Sequence, residues 1–361
     1  MPGMTQVAAL RSEKESIPQD WRRLRAYLGT QGMVLDIDSP PLQFAGGLAN
    51  LNYLIRVNGN DAVLRRPPMG ELPPGAYDMR RESRILSRLW QKFPLAPRAM
   101  HLCEDVSVIG AAFQISEYRP GVSFRASLPL ELAGDTNVGA KLGSMMIDVL
   151  ARLHSIDPTD VGLDDLGRPD GFLQRTADGW IKRAMLASHE SAGREAHMLI
   201  GDVSRWLRAQ TVPRERTSLL HNDFKLDNVL VNADTLEPVA VLDWDQGTRG
   251  DSLFDLATLL SYWTEQGDPP AMHKLQQMPT AQPGFPTRRE AAEAYSRTTG
   301  CDLSEFRFHR VLGMFKTAVI FQQLYSRYLA GGTADPRYAE FGDLAAGLFA
   351  CANDIAQSRL F

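Results

Sequence analysis

The sequence predicts an α+β protein of two lobes, a small one built on an antiparallel sheet and a large, mostly helical one. Three observations carry this. Hydrophobic residues take a period near two from about residue 42, in strand segments that reach residue 118 around one inserted helix, and a period near 3.6 over most of the remaining chain. Pro120-Gly121 marks the joint. A short strand pair lies late in the helical part, next to a dense run of His, Asp and Asn.

A short leading helix is expected over 18–29, with Pro18 in its first turn and Trp21, Leu24 and Leu28 on one face. Leu51, Tyr53, Ile55 and Val57 then alternate with other residues, Asn58-Gly59 is a hairpin turn, and Ala62–Arg65 is the returning strand. A helix fits 78–90, with Met79, Ile85, Leu86, Leu89 and Trp90 on its apolar side. Val106–Ile109 and Ala112–Tyr118 read as two more strands.

After the joint, Val138, Leu142, Met145, Met146, Val149, Leu150 and Leu153 follow the spacing of a buried helix. Further helices are expected near 173–189, 194–209, 253–264, 287–298, 304–330 and 338–357. Val229–Val231 and Val239–Leu242 are the embedded strands. The domains are therefore drawn as 1–118 and 119–361.

Composition narrows the function classes. Hydrophobic residues make up 44% and charged residues 23%, a globular balance, and the net charge of −4 argues against nucleic acid as the main partner. Cys103, Cys301 and Cys351 are scattered, with no disulfide or zinc spacing. Arg11, Glu13, Lys14 and Glu15 stand where a signal peptide would need an apolar core. The apolar run Val311–Tyr325 is interrupted by Lys316, Gln322 and Gln323, so no segment reaches the roughly 18 apolar residues of a membrane span. A cytoplasmic protein with no membrane partner is expected.

The chemistry concentrates in His221-Asn222-Asp223-Phe224-Lys225-Leu226-Asp227-Asn228, followed by Leu242-Asp243-Trp244-Asp245. Phosphoryl transfer needs a carboxylate to orient the attacking hydroxyl and accept its proton, and oxygen ligands for Mg²⁺ on the phosphates. Asp223 supplies the first; Asn228 and Asp243 supply the second. His, Asp and Asn in loops also serve as turn and cap residues. The hairpin and the Leu-Asp-Trp run at the right distance favour chemistry.

The run LLHNDFKLDNVLV…VAVLDWDQGTRGDSLFDLA resembles the aminoglycoside phosphotransferase/choline kinase superfamily, which has a protein-kinase-like fold. The resemblance is nearest to the branch with kinase-like domains fused to acyl-CoA dehydrogenases. FAGGLANLNYLIRV, AVLRRPP, RRESRIL, ISEYRPG, LARLHSIDP and DLGRPDGFLQR extend the likeness over about residues 40–330. It implies a nucleotide-binding lobe at 1–118, a catalytic loop at 221–228 and a metal-binding segment at 242–245, with ATP and Mg²⁺ as cofactors.

By the same resemblance, Asp223 is the catalytic base, and Asn228 and Asp243 are the Mg²⁺ ligands. Gly46 and Gly47 lie in the phosphate-covering loop. Arg65 stands where kinases place a lysine, with Glu82 as its helix partner. Glu117 and Tyr118 align with the adenine-binding hinge. Lys225 is a candidate contact for the transferred phosphate or a plain surface lysine. Asp245 is a metal or substrate group or a loop cap. His221 and Asp255 brace the catalytic loop, and His154 is a core or cap histidine.

Protein kinases keep a long segment after the metal-binding Asp as a peptide platform. Here Gly250-Asp251 and a helical run follow Asp243 within about ten residues, so a small hydroxyl substrate is favoured. The branch resemblance implies a hydroxyacyl or other hydroxylated metabolite rather than an aminoglycoside. The remaining readings are a nucleotide-binding pseudokinase or scaffold, favoured only by Arg65, an aminoglycoside-type antibiotic kinase, and a divergent protein kinase.

Overall fold

The computed structural model describes residues 10–38, 40–45, 50–69, 78–191, 193–332 and 335–361. In chain order the helices and strands begin with α1 (Trp21–Thr30), β1 (Leu35–Asp36), β2 (Leu42–Gln43), β3 (Leu51–Val57), β4 (Asn60–Arg66), α2 (Met79–Leu89), β5 (Ala99–Cys103) and β6 (Phe113–Glu117). There follow α3 (Thr136–His154), α4 (Phe172–Ser191), α5 (Arg194–Ala209), β7 (Thr217–Leu220), β8 (Val229–Val231), β9 (Pro238–Val241) and β10 (Thr248–Asp251). The chain continues with α6 (Ser252–Tyr262), α7 (Pro270–Leu275), α8 (Arg288–Thr299), α9 (Phe306–Leu329) and α10 (Phe341–Ala356).

Two compact units emerge. One takes the described residues up to Ser123, with Val161–Leu163 and Asn228–Gly247; the other takes Phe124–Asp160, Asp164–Asp227 and the described residues from Thr248 on. A single boundary after residue 118 therefore does not describe this grouping. The β8–β9 hairpin joins the first unit because Val231 and Val122 exchange backbone hydrogen bonds of 2.8 and 2.9 Å, and the Val241 N–H donates to the Leu95 carbonyl at 2.7 Å.

In the first unit the antiparallel sheet runs β1-β3-β4-β6-β5, with β2 also paired to β3. Leu51, Tyr53, Ile55 and Val57 are buried on one face of β3, as alternation requires. Asn58 and Gly59 turn the β3–β4 hairpin with φ of 52° and 79°, the doubly left-handed turn that Asn-Gly favours. Leu24 and Leu28 of α1 join this core. Helix α1 starts later than Pro18 suggests, because Asp20 caps it by accepting the Arg23 N–H at 2.9 Å.

Val106–Ile109 is not a strand. The Val108 N–H donates to the Asp105 carbonyl and the Gly110 N–H to that of Val106, which closes a turn. The edge beside β6 is instead taken by β5.

In the second unit α9 is buried on nearly all sides and packs against α4, α6 and α10, as a centrally placed helix does. Gly313 lets α9 cross α6 closely: a Cβ there would stand 2.9 Å from the Ala257 carbonyl oxygen. Strands β7 and β10 pair antiparallel, and β7 leads straight into the loop that begins at His221. Among the described residues no helix is long and apolar enough to cross a membrane.

Candidate active site

The loop after β7 is held by its backbone. Asp255, fully buried on α6, accepts the N–H groups of His221 at 2.7 Å and of Asn222 at 2.8 Å. His154 Nε2 lies 3.2 Å from the same carboxylate, and His154 Nδ1 lies 2.6 Å from the Tyr295 hydroxyl. Burial pushes the Asp255 carboxyl up, but hydrogen bonding and charge from His154, with His221, outweigh it and hold its pKa low. His154, His221 and Asp255 thus form a brace under the loop.

Asn222 adopts a left-handed φ of 66°, which asparagine tolerates better than most residues. This turn presents Asp223, which is 8% exposed. Its two oxygens are separately held: Tyr262 donates to Oδ1 and Lys225 Nζ to Oδ2, each at 2.9 Å. Burial acts to raise the Asp223 pKa. The cations Lys225 and Lys316 outweigh burial and leave it lowered, so the group is a carboxylate at neutral pH.

Lys316 of α9 is fully buried and donates to the Asn222 carbonyl, and to Asn222 Oδ1 at 3.0 Å. Neither Lys316 nor Tyr262 is picked out as a site residue by the sequence. The signal for Lys316 was a lone cation inside an apolar helix; Tyr262 had none.

The other predicted residues that the structure describes lie in the first unit. Arg65 on β4 meets Glu82 on α2, with Nε 2.8 Å from Oε2, and its Nη2 donates to Asp243 Oδ1. Burial would lower the Arg65 pKa, but the carboxylates of Glu82, Asp243 and Asp245 more than reverse this. Glu82 is so deeply buried that its own pKa is raised despite Arg65. Trp244, buried beside Phe93 at 6.1 Å between ring centroids, donates its indole N–H to the Val241 carbonyl at 2.7 Å and anchors the segment carrying Asp243 and Asp245.

Asn228 and Asp243 sit at one end of the β8–β9 hairpin, before β8 and after β9, and the Asn228 carbonyl accepts the Leu242 N–H at 2.8 Å. Asp243 has a left-handed φ of 69°. An amide oxygen and a carboxylate are by their chemistry the hard donors that Mg²⁺ takes when phosphates and water fill its remaining positions. The donor set fits that ion. Glu117 is part of the sheet, with its N–H on the Arg98 carbonyl at 2.9 Å and its carboxylate 3.0 Å from Arg119 Nε. Tyr118 stacks on Phe44 at 6.3 Å. Gly46 and Gly47 lie outside the described residues.

Comparison with known proteins identifies the family. Residues 42–293 match the Phosphotransferase enzyme family (APH). The chain is 30% identical over 352 residues to acyl-CoA dehydrogenase family member 10 of Mus musculus, covering 96% of this chain but only 32% of that protein. It superposes with a TM-score of 0.73 and 25% identity on a Ralstonia eutropha JMP134 protein carrying a provisional aminoglycoside phosphotransferase assignment, covering 94% of this chain and 99% of that one. A thermostable variant of aminoglycoside phosphotransferase APH(4)-Ia, in complex with AMP-PNP and hygromycin B, matches with a TM-score of 0.56 over 93% of this chain and 98% of that one. At 16% identity that likeness shows the kinase-like fold alone.

Proposed function

Because this chain belongs to the phosphotransferase enzyme family, we propose that it transfers the γ-phosphoryl group of ATP, with Mg²⁺, to a hydroxyl of a small molecule. The observation that carries this is Asp223: a buried carboxylate, kept ionised by cations, with each oxygen fixed by a separate donor. A fixed carboxylate orients an acceptor hydroxyl and takes its proton as the O–P bond forms.

Asn228 and Asp243 are the residues that would hold Mg²⁺, which when bound neutralises charge on the phosphates. Arg65, positioned by Glu82, is the candidate phosphate contact, and Arg grips phosphate oxygens bidentately. Lys225 neutralises charge near the acceptor oxygen.

The acceptor is read as a hydroxyacyl-type or other hydroxylated anionic metabolite. Lys225, with Nζ 2.9 Å from Asp223 Oδ2, is the partly exposed cation beside the proposed base. A cation at that place suits an anionic acceptor better than a polycationic aminoglycoside. The segment after Asp243 passes through a short 3₁₀ turn, Trp244–Gln246, to β10 and α6, which supports a small acceptor over a peptide.

The test is Mg²⁺-dependent ADP release across hydroxyacyl-CoAs, hydroxy acids, amino alcohols, sugars and aminoglycosides. Release with one class, lost in Asp223→Asn, supports the reading. ATP binding without release on any class would point to a nucleotide-binding scaffold.

A further inference from the structure

Lys316 is an unusual residue for its place. It sits on α9 with no solvent exposure, among Phe315, Thr317, Ala318 and Val319, all buried. A buried ammonium is costly unless its N–H groups find oxygen acceptors. Both acceptors found here belong to one residue, Asn222: its backbone carbonyl and its side-chain Oδ1. The Phe254 ring centroid lies 5.3 Å from the same nitrogen.

The Asn222 carbonyl is half of the peptide group that joins Asn222 to Asp223. The other half, the Asp223 N–H, donates to His221 Nδ1 at 3.3 Å. One plane is thus gripped at both edges, and Asn222 is gripped a third time through its own N–H by Asp255. With the peptide plane fixed, rotation about the Asp223 N–Cα bond is the one backbone freedom left to set where its side chain departs.

We propose that Lys316 is a positioning residue: by chelating the carbonyl and side chain of Asn222 it locks the left-handed turn that aims the Asp223 carboxylate. The inference rests on the phosphotransfer reading for its kinetic consequence, but not for its structural one. Lys316 also acts through charge. The groups facing it are Asp223 and Asp255, which favour its charged form, and Lys225 and Arg183, which oppose it. Burial and these two cations set its pKa down to about 8, and in turn its charge helps keep Asp223 ionised.

The experiment compares Lys316→Met and Lys316→Arg with the wild type in the full chain, after thermal melts identify which variants fold. Two readouts are taken: steady-state kinetics, and the carboxyl ¹³C titration of Asp223, assigned with Asp223→Asn. In Lys316→Met the expected result is a kcat lower by about 10²-fold, a nucleotide KM within about twofold of wild type, and an Asp223 titration moved to higher pH. Lys316→Arg, which keeps a charged donor, restores part of kcat and returns the titration toward wild type.

An unchanged Asp223 titration together with unchanged kcat in Lys316→Met overturns the proposal. So does a loss confined to KM. If no acceptor is turned over by the wild type, the phosphotransfer reading falls and the Asp223 titration in Asn222→Gly decides, because that variant keeps the Lys316 charge while removing half of the chelate: a moved titration supports the lock and an unmoved one defeats it. Should Lys316→Met not fold, the same titration in Asn222→Gly decides. Glycine keeps the left-handed φ but removes the Oδ1 acceptor, and an Asp223 titration identical to wild type would then contradict the chelate.

Discussion

Arg65 Nε lies 2.8 Å from Glu82 Oε2, an ion pair of two nearly buried side chains that ties β4 to α2. The same guanidinium also reaches Asp243. One cation therefore organises the helix, the sheet and the proposed metal ligand within a single unit.

Removing Glu82 removes the partner that fixes the direction of Arg65. Glu82→Gln is expected to cost about 2 kcal/mol of stability, less than the ~3–5 kcal/mol of a fully orphaned buried charge because Arg65 keeps Asp243. Urea unfolding midpoints check this, and the KM for ATP should rise in parallel. An unchanged midpoint would mean the pair contributes nothing net.

Asp255 makes the brace sensitive to acid. Its folded-state pKa lies below the ordinary carboxylate value. Its contribution to stability is therefore full above the ordinary carboxylate range and is lost as pH falls through the folded pKa. The stability difference between wild type and Asp255→Asn should be largest near neutral pH and shrink toward strongly acidic pH. Denaturation at a series of pH values measures it.

Tyr262→Phe deletes the hydroxyl that donates to Asp223 Oδ1 and nothing else. A hydrogen bond to a charged group contributes about 1.5 kcal/mol, so kcat should fall about tenfold while the melting temperature changes little. A larger effect on KM than on kcat would argue that the hydroxyl contacts the acceptor instead.

Gly313→Ala would push α9 away from α6, since the new Cβ meets the Ala257 carbonyl oxygen at 2.9 Å and its carbon at 3.0 Å. Overpacking of this kind costs about 1–3 kcal/mol. Because Lys316 lies one helical turn further on, kcat should drop with the melting temperature. Retained stability would show that the helices part without strain.

The fold was legible where local chemistry and packing agree. Asn58-Gly59, the alternating β3 and the period of α3 are of this kind. Val106–Ile109 misled because Val-x-Val-Ile has strand composition, whereas its backbone closes a turn before Gly110. Strands β7 and β10 are short, and their pairing joins residues distant in sequence, which periodicity does not register. Of the site residues, the Asp223–Asn228 spacing was readable because one loop carries it. Tyr262 and Lys316 were not, because each reaches the loop through helix packing that only the folded chain brings about.

The central claim is that Asp223 serves a phosphoryl transfer. The most direct measurement is single-turnover transfer from [γ-³²P]ATP to the acceptor class identified by ADP release, comparing wild type with Asp223→Asn at saturating Mg²⁺. The expected result is a labelled phosphoester with the wild type and a rate lower by at least about 10²-fold in the variant, with ATP affinity nearly unchanged. Transfer at the wild-type rate by Asp223→Asn would contradict it.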